Sequence, residues 1–234
     1  MNFVQTFRMA KFFYNYEIPS MKNKLSILFT FFLFVCTISC QSDTREFPPE
    51  KAILLFEKYI VGSFNNNNQI QEDLSTGIQK HPSSRLINAR IDNWILNAPQ
   101  REGFWLLEEG HFDNPGIKPE VKPYLFFYEA LGDTAVMMHV YTFPNSIPSE
   151  SIRHNNPDIK VEYSQLNASK NFKPMLLEYR EEGFHIDRVF DLPGGMNFTF
   201  QKSIKKDRIE LLELWYKDTK RMSTYDTALI LEKE

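Results

Sequence analysis

Residues 123–143 read PYLFFYEALGDTAVMMHVYTF, and this stretch decides the predicted fold. Its two halves are rich in aromatic and β-branched residues, which pack well on the pleated surface of a sheet. Between them lies Leu131-Gly132-Asp133, a sequence typical of a tight turn. The stretch therefore predicts two antiparallel strands, near 123 to 131 and 134 to 143, joined as a hairpin.

Short runs of the same kind recur on both sides of this hairpin, each bounded by turn residues. Two more tight turns, Glu182-Gly183 and Lys206-Asp207, predict two more hairpins. Further strands are predicted near 86 to 96, 104 to 109, 175 to 180, 184 to 190, 196 to 204, 208 to 216 and 226 to 232. So many antiparallel neighbours favour a closed or nearly closed barrel, because closure removes the unpaired edges of a sheet. The predicted class is all-β, with an antiparallel, calyx-like β-barrel.

One helix is expected before the barrel, from about Glu50 to Val61. Apolar residues recur there at helical spacing, at Ala52, Leu55, Phe56 and Tyr59. Gly62 is expected to end this helix, Phe64 to pack under the barrel, and the polar run from Asn65 to Asn68 to form a turn.

The segment from Pro144 to Lys173 lacks the short aromatic and β-branched runs that predict strands elsewhere. Three prolines and the pair Asn155-Asn156 interrupt it. Because proline cannot donate to a ladder of backbone hydrogen bonds, a regular strand is not expected there. The sequence predicts a long excursion with a helical turn or two.

The N-terminal region carries the features of an export signal. Met21 is followed by Lys22 and Lys24, and then by an apolar run at 25–35. This run has about 11 residues, whereas a helix needs roughly 20 to span a bilayer. Residues 21–39 are therefore predicted to be a cleaved signal peptide and not a permanent membrane span.

The lipid-bearing residue of the mature protein is predicted to be Cys40. Small Ser39 precedes it, as cleavage requires, whereas Cys36 follows bulky Val35. The alternatives are that Cys40 only ends an ordinary signal peptide, or that the apolar start arose by chance. The predicted organisation is a misassigned N-terminal extension, a lipoprotein signal peptide, a lipidated tether and one barrel domain, at 1–20, 21–39, 40–47 and 48–234. The expected location is the cell envelope, at the periplasmic or outer-membrane face, with the membrane as a partner through the lipid.

Composition excludes several classes of function. Both cysteines lie in the signal region, so disulfides, thiolate catalysis and cysteine metal sites are excluded from the body of the domain. The chain has 27 Lys and Arg against 30 Asp and Glu, and 23 against 29 remain from Cys40 onward. This acidic balance argues against nucleic acid as a partner, because binding it needs basic patches that neutralise phosphates.

Motifs of the common enzyme classes are missing from the sequence. None of the five histidines stands at metal-ligand spacing to another, so no metal site is predicted. The sequence also lacks a Gly-x-Ser-x-Gly motif, a phosphate-binding loop and a dinucleotide fingerprint. The usual hydrolase and nucleotide-binding sites are therefore not expected.

Candidate ligand contacts follow from the faces of the predicted strands, since side chains alternate with period 2. Tyr124 and Tyr128 share one face of their strand, and His139 and Tyr141 share one face of the next. Arg90 could clamp a carboxylate from inside the barrel. For the aromatic residues the alternative is simple packing in the core. For Arg90 the alternative is the solvent side of its strand, and for His139 it is an exposed or internally hydrogen-bonded side chain.

Residues 59–69, YIVGSFNNNNQ, resemble the opening motif of the CpcT/CpeT chromophore lyase family, Tyr-x-x-Gly-x-Phe-Asp-Asn-x-x-Gln after an N-terminal helix. The matching positions are Tyr59, Gly62, Phe64, Asn65, Asn66 and Gln69, with Asn65 in place of Asp. The family's order and approximate spacing continue at Pro123-Tyr124, Tyr141-x-Phe143-Pro144, Asn156-Pro157, Gln165-Leu166 and Gly183-Phe184. The resemblance spans most of the mature body and implies a lipocalin-like antiparallel calyx.

The resemblance also implies an activity, the attachment of an open-chain tetrapyrrole to a phycobiliprotein cysteine. Two departures from the family pattern bear on it. The family's polar, arginine-bearing stretch is here Leu125-Phe126-Phe127, and its Pro-Gly-Cys is here Pro174-Met175-Leu176. Because the groups expected at a bilin are replaced, the sequence leaves open whether the protein is an enzyme. The cofactor stays equally open, as a tetrapyrrole or another apolar small molecule.

Three functions follow from these observations. The first is binding of a small apolar or amphipathic ligand in the barrel, neutral or singly charged, with Arg90 as the compensating charge. The second is a lyase acting on a tetrapyrrole. The third is an envelope protein that presents its barrel to another protein and binds nothing inside. The content of the lumen separates them, because a lumen filled by large side chains favours the third.

Overall fold

The computed structural model describes residues 50–113, 120–223 and 225–234. The predicted N-terminal extension, signal peptide and tether, with Cys40, lie outside these residues. The described part holds two α-helices, α1 (Ala52–Ile60) and α2 (Asn67–Ser75). No helix in this part of the chain is both long and apolar enough to cross a membrane.

Most of the remaining elements are strands. They are β1 (Gly62–Asn65), β2 (Ser83–Arg90), β3 (Ile95–Leu96), β4 (Gly103–Asp113), β5 (Glu120–Leu131), β6 (Ala135–Thr142), β7 (Val161–Glu162), β8 (Asn167–Ala168), β9 (Met175–Arg180), β10 (Gly183–Leu192), β11 (Met196–Ile204), β12 (Arg208–Lys217), β13 (Lys220–Arg221) and β14 (Leu229–Lys233). Single turns of 3-10 helix lie at Asp92–Trp94, Ser149–Ser151 and Tyr163–Gln165.

Ten of these strands close into one antiparallel barrel. Their order around the barrel is β1, β2, β4, β5, β6, β9, β10, β11, β12, β14 and back to β1, where Phe64 pairs with Lys233. β8 and β13 lengthen the sheet beside β6 and β12, and β3 and β7 form a separate parallel pair. The predicted all-β class and antiparallel barrel are confirmed, and closure leaves no free edge among the ten strands.

The hairpin predicted from residues 123–143 is present as β5 and β6. Leu131 pairs with Ala135 at its end, and Gly132 in the turn has a φ of 63°. Such a positive φ is open to glycine at little steric cost, which explains why this turn could be recognised from sequence.

α1 plugs one end of the barrel with its apolar face. The ring of Phe56 lies 4.6 Å from that of Tyr128 and 5.1 Å from that of Phe184. The amide of Ala52 donates to the carbonyl of Asp133 at 3.0 Å, which ties the helix to the turn between β5 and β6. The helix is two residues shorter at its start than predicted and one residue shorter at its end. We call the opposite end of the barrel, where β4 ends and β5 begins, the open end, because α1 lies at the other end.

The connection from α1 to β1 follows the prediction. Gly62 has a φ of 137°, and a Cβ at this position would lie 2.9 Å from Cε of Lys233. Phe64, two residues on, is fully buried in the barrel core. Gly62 therefore allows the chain to leave the helix and enter the barrel wall within two residues.

A second apolar cluster covers the outer face of β4, β5 and β6. Trp105 and Phe127 project outward there and pack with Ile152 and Val161 of the segment between β6 and β9. The predicted excursion from 144 to 173 is thus a covering layer, and its helical turns are of the 3-10 type. Both faces of these three strands are buried as a result.

α2 is a difference from the prediction, which expected a turn at Asn65 to Asn68 and only one helix. The helix is mostly polar and is held by contacts distant in sequence. Nε2 of Gln69 donates to the carbonyl of Ala228 at 2.8 Å, and Asn68 donates to Glu232. Local periodicity does not show such support, since tertiary contacts stabilise this helix more than its own sequence does.

The strand predicted at 86 to 96 is also different, because it ends at Arg90. Asp92 Oδ1 accepts a hydrogen bond from the amide of Trp105 at 2.6 Å. A side chain thereby takes the place of a backbone partner, and the chain turns. Asp92 and Trp94 lie in the 3-10 turn that follows β2 and not in a strand.

Candidate functional site

Even-numbered side chains of β4 and β5 point into the barrel. Phe104, Leu106, Phe126 and Tyr128 belong to the barrel core, whereas their odd-numbered neighbours belong to the outer cluster. This alternation follows from the pleat of a strand. The half of the lumen next to α1 is filled by large apolar side chains up to Tyr128, whose ring packs against Phe56 of α1, so a ligand site can lie only between Tyr128 and the open end.

An ion pair lies within this apolar lumen. Glu108 continues the inward face of β4 after Leu106, and its Oε2 lies 2.6 Å from Nζ of Lys202 on β11. Glu108 is 6% exposed and Lys202 is 4% exposed. The ammonium of Lys202 also lies 5.9 Å from the centre of the Phe126 ring. Two opposite charges are therefore held together across the barrel, out of contact with bulk water.

Tyr128 places an unsatisfied hydroxyl in the same lumen. Its side chain is fully buried, and its Oη has no hydrogen-bond partner among the described residues. Burial, and to a smaller extent the Glu108 carboxylate, raises the pKa of Tyr128 well above its usual value. The hydroxyl is therefore neutral, and such a group can both donate and accept a hydrogen bond.

Glu213 adds a second carboxyl to the lumen, on β12. Burial raises its pKa to about 6, and the Glu108 carboxylate adds to the effect, while Lys202 and Lys122 act in the opposite direction. Tyr225, in the segment before β14, has its pKa raised by burial and then by Glu213. Carboxyl, ammonium and phenol groups from different elements thus converge in one region.

Aromatic side chains line the lumen toward the open end. Phe198 stacks on Trp215 with a ring separation of 4.2 Å, and Phe172 meets Phe190 edge-on at 5.1 Å. Exposure increases along the inward face of β5, from fully buried Tyr128 to Tyr124, which is 37% exposed. The inward face of β5 is therefore more exposed toward this end, and aromatic side chains lie between this end and the charged groups.

The five candidate contact residues lie in three different places. Tyr124 and Tyr128 are in the lumen. His139 and Tyr141 are on the outer face of β6, where Nε2 of His139 lies 2.7 Å from Oε2 of Glu129 and the Tyr141 ring lies 4.9 Å from that of Trp105. The two pairs thus face opposite sides of the wall and do not form one site.

Arg90 lies at the α1 end and not beside the lumen charges. Its guanidinium lies 2.6 Å from Oε1 of Glu57 on α1 and 2.5 Å from Oδ2 of Asp92. Burial lowers the pKa of Arg90, but these two carboxylates outweigh it and raise the value overall. The positive charge of Arg90 is already paired with these two carboxylates, and the side chain joins α1 to the barrel wall.

Residues of the resemblance motif hold the wall near β1. Asn66 is 1% exposed, its Nδ2 donates to the carbonyl of Pro82 at 2.9 Å, and its Oδ1 accepts from the amide of Ser84 at 2.8 Å. Gln69 accepts from the amide of Ile230 at 3.1 Å. The remaining positions are also in contact: Tyr59 with Phe184, and Asn65 with Glu234. These contacts join α2 to β2 and β14.

Sequence reasoning missed Glu108, Lys202 and Glu213. A signal was present, because each stands in an alternating pattern with apolar residues on both sides of it along the same strand face. A charged residue on the buried face of a strand is uncommon and points to a paired or functional group. Among the described residues, no group of histidine and carboxylate side chains is placed to hold a metal ion.

No family model and no curated protein sequence matches this chain. A comparison with solved structures finds the T-type phycobiliprotein lyase CpeT from Prochlorococcus phage P-HM1, with a TM-score of 0.47 and 9% sequence identity, covering 79% of this chain and 98% of that chain. Membership of the family named from the motif stays a prediction.

Proposed function

We propose that the barrel binds one small amphipathic ligand in the open half of its lumen, and that Cys40 anchors the protein to the cell envelope. The observation that carries the binding proposal is the buried Tyr128 hydroxyl, which has no partner among the described residues and lies close to the charges of Glu108 and Lys202. A buried polar group left without a hydrogen bond costs about 1–3 kcal/mol. A ligand head group that reaches Tyr128 would remove this penalty.

The ion pair supports the same conclusion. Buried ion pairs contribute little to stability compared with apolar residues of the same volume, since desolvation offsets their attraction. The pair of Glu108 and Lys202 is therefore better explained by recognition than by folding. Lys202 offers a hydrogen-bond donor and Glu108 an acceptor, beside the aromatic side chains of the lumen that include Phe126.

The charged side chains inside the lumen favour a neutral or singly charged ligand. Lys202 is already paired with Glu108, and Glu213 is a further carboxyl. A dianionic bilin would lose its hydration here without gaining an unpaired cation from Lys202, and unpaired buried charge is strongly unfavourable. An apolar body with one hydrogen-bonding head group fits these residues best.

The test is titration of the full-length protein with a long-chain fatty acid, a retinoid-like alcohol and a bilin, with intrinsic tryptophan fluorescence as the readout. Trp215 is one of the aromatic side chains of the lumen, so a bound ligand should change its emission. We expect saturable binding of the fatty acid or the alcohol at one site. Saturable bilin binding without any response to the other two would contradict the proposal and favour the lyase.

Two matched variants locate the site. Tyr128→Phe removes the lumen hydroxyl and should weaken binding by about tenfold, the equivalent of one lost hydrogen bond. Because that hydroxyl bonds to none of the residues that the structure describes, its loss should not lower the melting temperature. Tyr141→Phe makes the same change on the outer face and should leave the affinity unchanged. Equal effects of the two variants would show that the ligand does not bind in the lumen.

A further inference from the structure

A second polar cluster connects the loop after α2 with the segment before β14. Asp73 Oδ2 lies 3.0 Å from Nδ1 of His81, and Nε2 of His81 lies 2.7 Å from Oγ1 of Thr227. These three side chains form a continuous line of carboxylate, imidazole and hydroxyl. None of them belongs to the lumen site.

The carboxylate of this cluster is firmly held. Asp73 Oδ2 also accepts hydrogen bonds from the amides of Lys80 at 2.8 Å and His81 at 2.9 Å. Burial acts to raise the pKa of Asp73, but these amides and the His81 imidazole outweigh it and keep the pKa below its usual value. An ionised Asp73 favours the tautomer of His81 that carries its hydrogen on Nδ1. Nε2 is then left to accept the hydrogen of Thr227.

Exposure differs along the line. Asp73 is 6% exposed and His81 is 7% exposed, whereas Thr227 is on the surface. The orienting pair is shielded from water, and the hydroxyl can be reached by a molecule in solution. This is the geometry that nucleophilic catalysis needs, with a nucleophile, a base and a third group that orients the base.

The surroundings of His81 fix its ring. The amide nitrogen of Gln69 lies 3.4 Å from Nε2, and the centre of the Tyr225 ring lies 6.1 Å from that of the imidazole. Tyr225 also packs against the barrel core. The imidazole is thus positioned between α2 and the segment that carries Thr227.

We propose that Thr227 is an acyl-accepting nucleophile, with His81 as its general base and Asp73 as the group that orients His81. The substrate class is a small carboxylic ester or thioester. Oγ1 of Thr227 attacks the acyl carbon and its hydrogen passes to Nε2 of His81. The bond from the acyl carbon to the leaving oxygen or sulfur breaks, and the leaving group takes the hydrogen from His81. The product is a Thr227 ester. Water then attacks its acyl carbon while His81 takes a hydrogen from the water. His81 returns this hydrogen to Oγ1 of Thr227, and the carboxylic acid is released.

The test uses p-nitrophenyl acetate as the probe and the full-length protein. Release of p-nitrophenolate gives the rate, and peptide mass spectrometry gives the position of the acetyl group. The acetyl group should be found on Thr227, which also separates this reaction from acetylation of Cys36, Cys40 or lysine side chains. Thr227→Val should abolish acetylation at this position, and Thr227→Ser should retain it.

The role of the base is tested separately. His81→Gln should slow acetylation of Thr227 by about 100-fold, within the usual range for loss of a general base. Asp73→Asn should also slow it while leaving Thr227 in place. Thr142→Val changes an exposed threonine that has no imidazole partner, and it should not alter the rate.

Two results would overturn the proposal. One is acetylation confined to cysteine and lysine residues, with Thr227 unmodified. The other is an unchanged rate at Thr227 in Asp73→Asn and in His81→Gln, with melting temperatures like that of the original protein. In either case the three residues would serve only to join the two loops.

Discussion

Glu108 and Lys202 are separated by 94 positions in the sequence, yet Oε2 of one lies 2.6 Å from Nζ of the other. Each is on the inward face of its strand, and both are nearly inaccessible to solvent. Each of these buried charges is stabilised by the other, because no water is present to solvate a charge that loses its partner. The pair therefore couples β4 to β11 across the barrel.

Removing one member of this pair should be much more harmful than removing both. Lys202→Met leaves the Glu108 carboxylate buried without a cation, and it should lower the free energy of unfolding by about 3–5 kcal/mol. Combining it with Glu108→Leu should recover most of this loss. The measurement is urea denaturation of the single and double variants.

The ion pair between Arg85 and Glu234 provides a surface control for this cycle. It has the same 2.6 Å separation, but its side chains are 49% and 32% exposed. Arg85→Met should therefore lower the free energy of unfolding by less than about 1 kcal/mol. Similar losses at the two pairs would mean that the lumen pair is hydrated.

Glu213 should make stability depend on pH. Its pKa is raised from 4.5 to about 6, so the folded protein binds this proton more tightly than the unfolded chain does. The resulting stabilisation is present below about pH 4.5 and is lost as the pH rises through about 6. Glu213→Gln should therefore be more stable than the original protein at pH 7 by about 2 kcal/mol.

This advantage of Glu213→Gln should disappear in acid, where the carboxyl of the original protein is neutral. Melting temperatures at pH 4 and pH 7, measured for both proteins, give the comparison. A constant difference between them at the two pH values would show that Glu213 keeps its ordinary pKa.

The entry into the barrel wall should be sensitive to two substitutions. Phe64→Ala removes a fully buried ring and should destabilise the fold by about 3–5 kcal/mol. Gly62→Val should also destabilise it, because the backbone has a positive φ and a Cβ would meet the Lys233 side chain. Leu54→Ala, at a residue that is 50% exposed on α1, is the control and should change the melting temperature little. Unchanged melting for both Gly62→Val and Phe64→Ala would assign the motif to binding instead.

The proposed lipid anchor depends on one thiol. Cys40→Ser should release the protein from the membrane fraction after a carbonate wash, because the thiol is the predicted attachment point of the lipid. Cys36→Ser removes the other thiol of the signal region and should leave the protein in the membrane fraction. Retention of Cys40→Ser after the wash would show that the protein is not a lipoprotein of this kind.

Local signals in the sequence were sufficient for the barrel. The hairpin at 123–143 was predictable because Gly132 supplies its turn and because strand composition continues on both sides. The break at Asp92 was not, since it depends on a side chain that bonds the amide of Trp105 on another strand. α2 was missed for the same reason, because Gln69 holds it through the distant carbonyl of Ala228.

The site was harder to predict than the fold. Alternation showed that Tyr124 and Tyr128 share a face and that His139 and Tyr141 share another. It could not show which face is inward, because the excursion buries the outside of these strands as well. The pairing of Glu108 with Lys202 joins strands that are not neighbours, so no local pattern identifies it.

The pairing of β1 with β14 also affects how the nascent chain folds. Phe64 pairs with Lys233, and Asn65 reaches Glu234 across 169 positions of sequence. On the ribosome, β1 emerges early but must wait for β14 before its second side is covered. Contacts between such distant segments form slowly, since a long loop must close first. Until then the nascent chain carries two open strand edges, and these are the places where it could join another copy of itself.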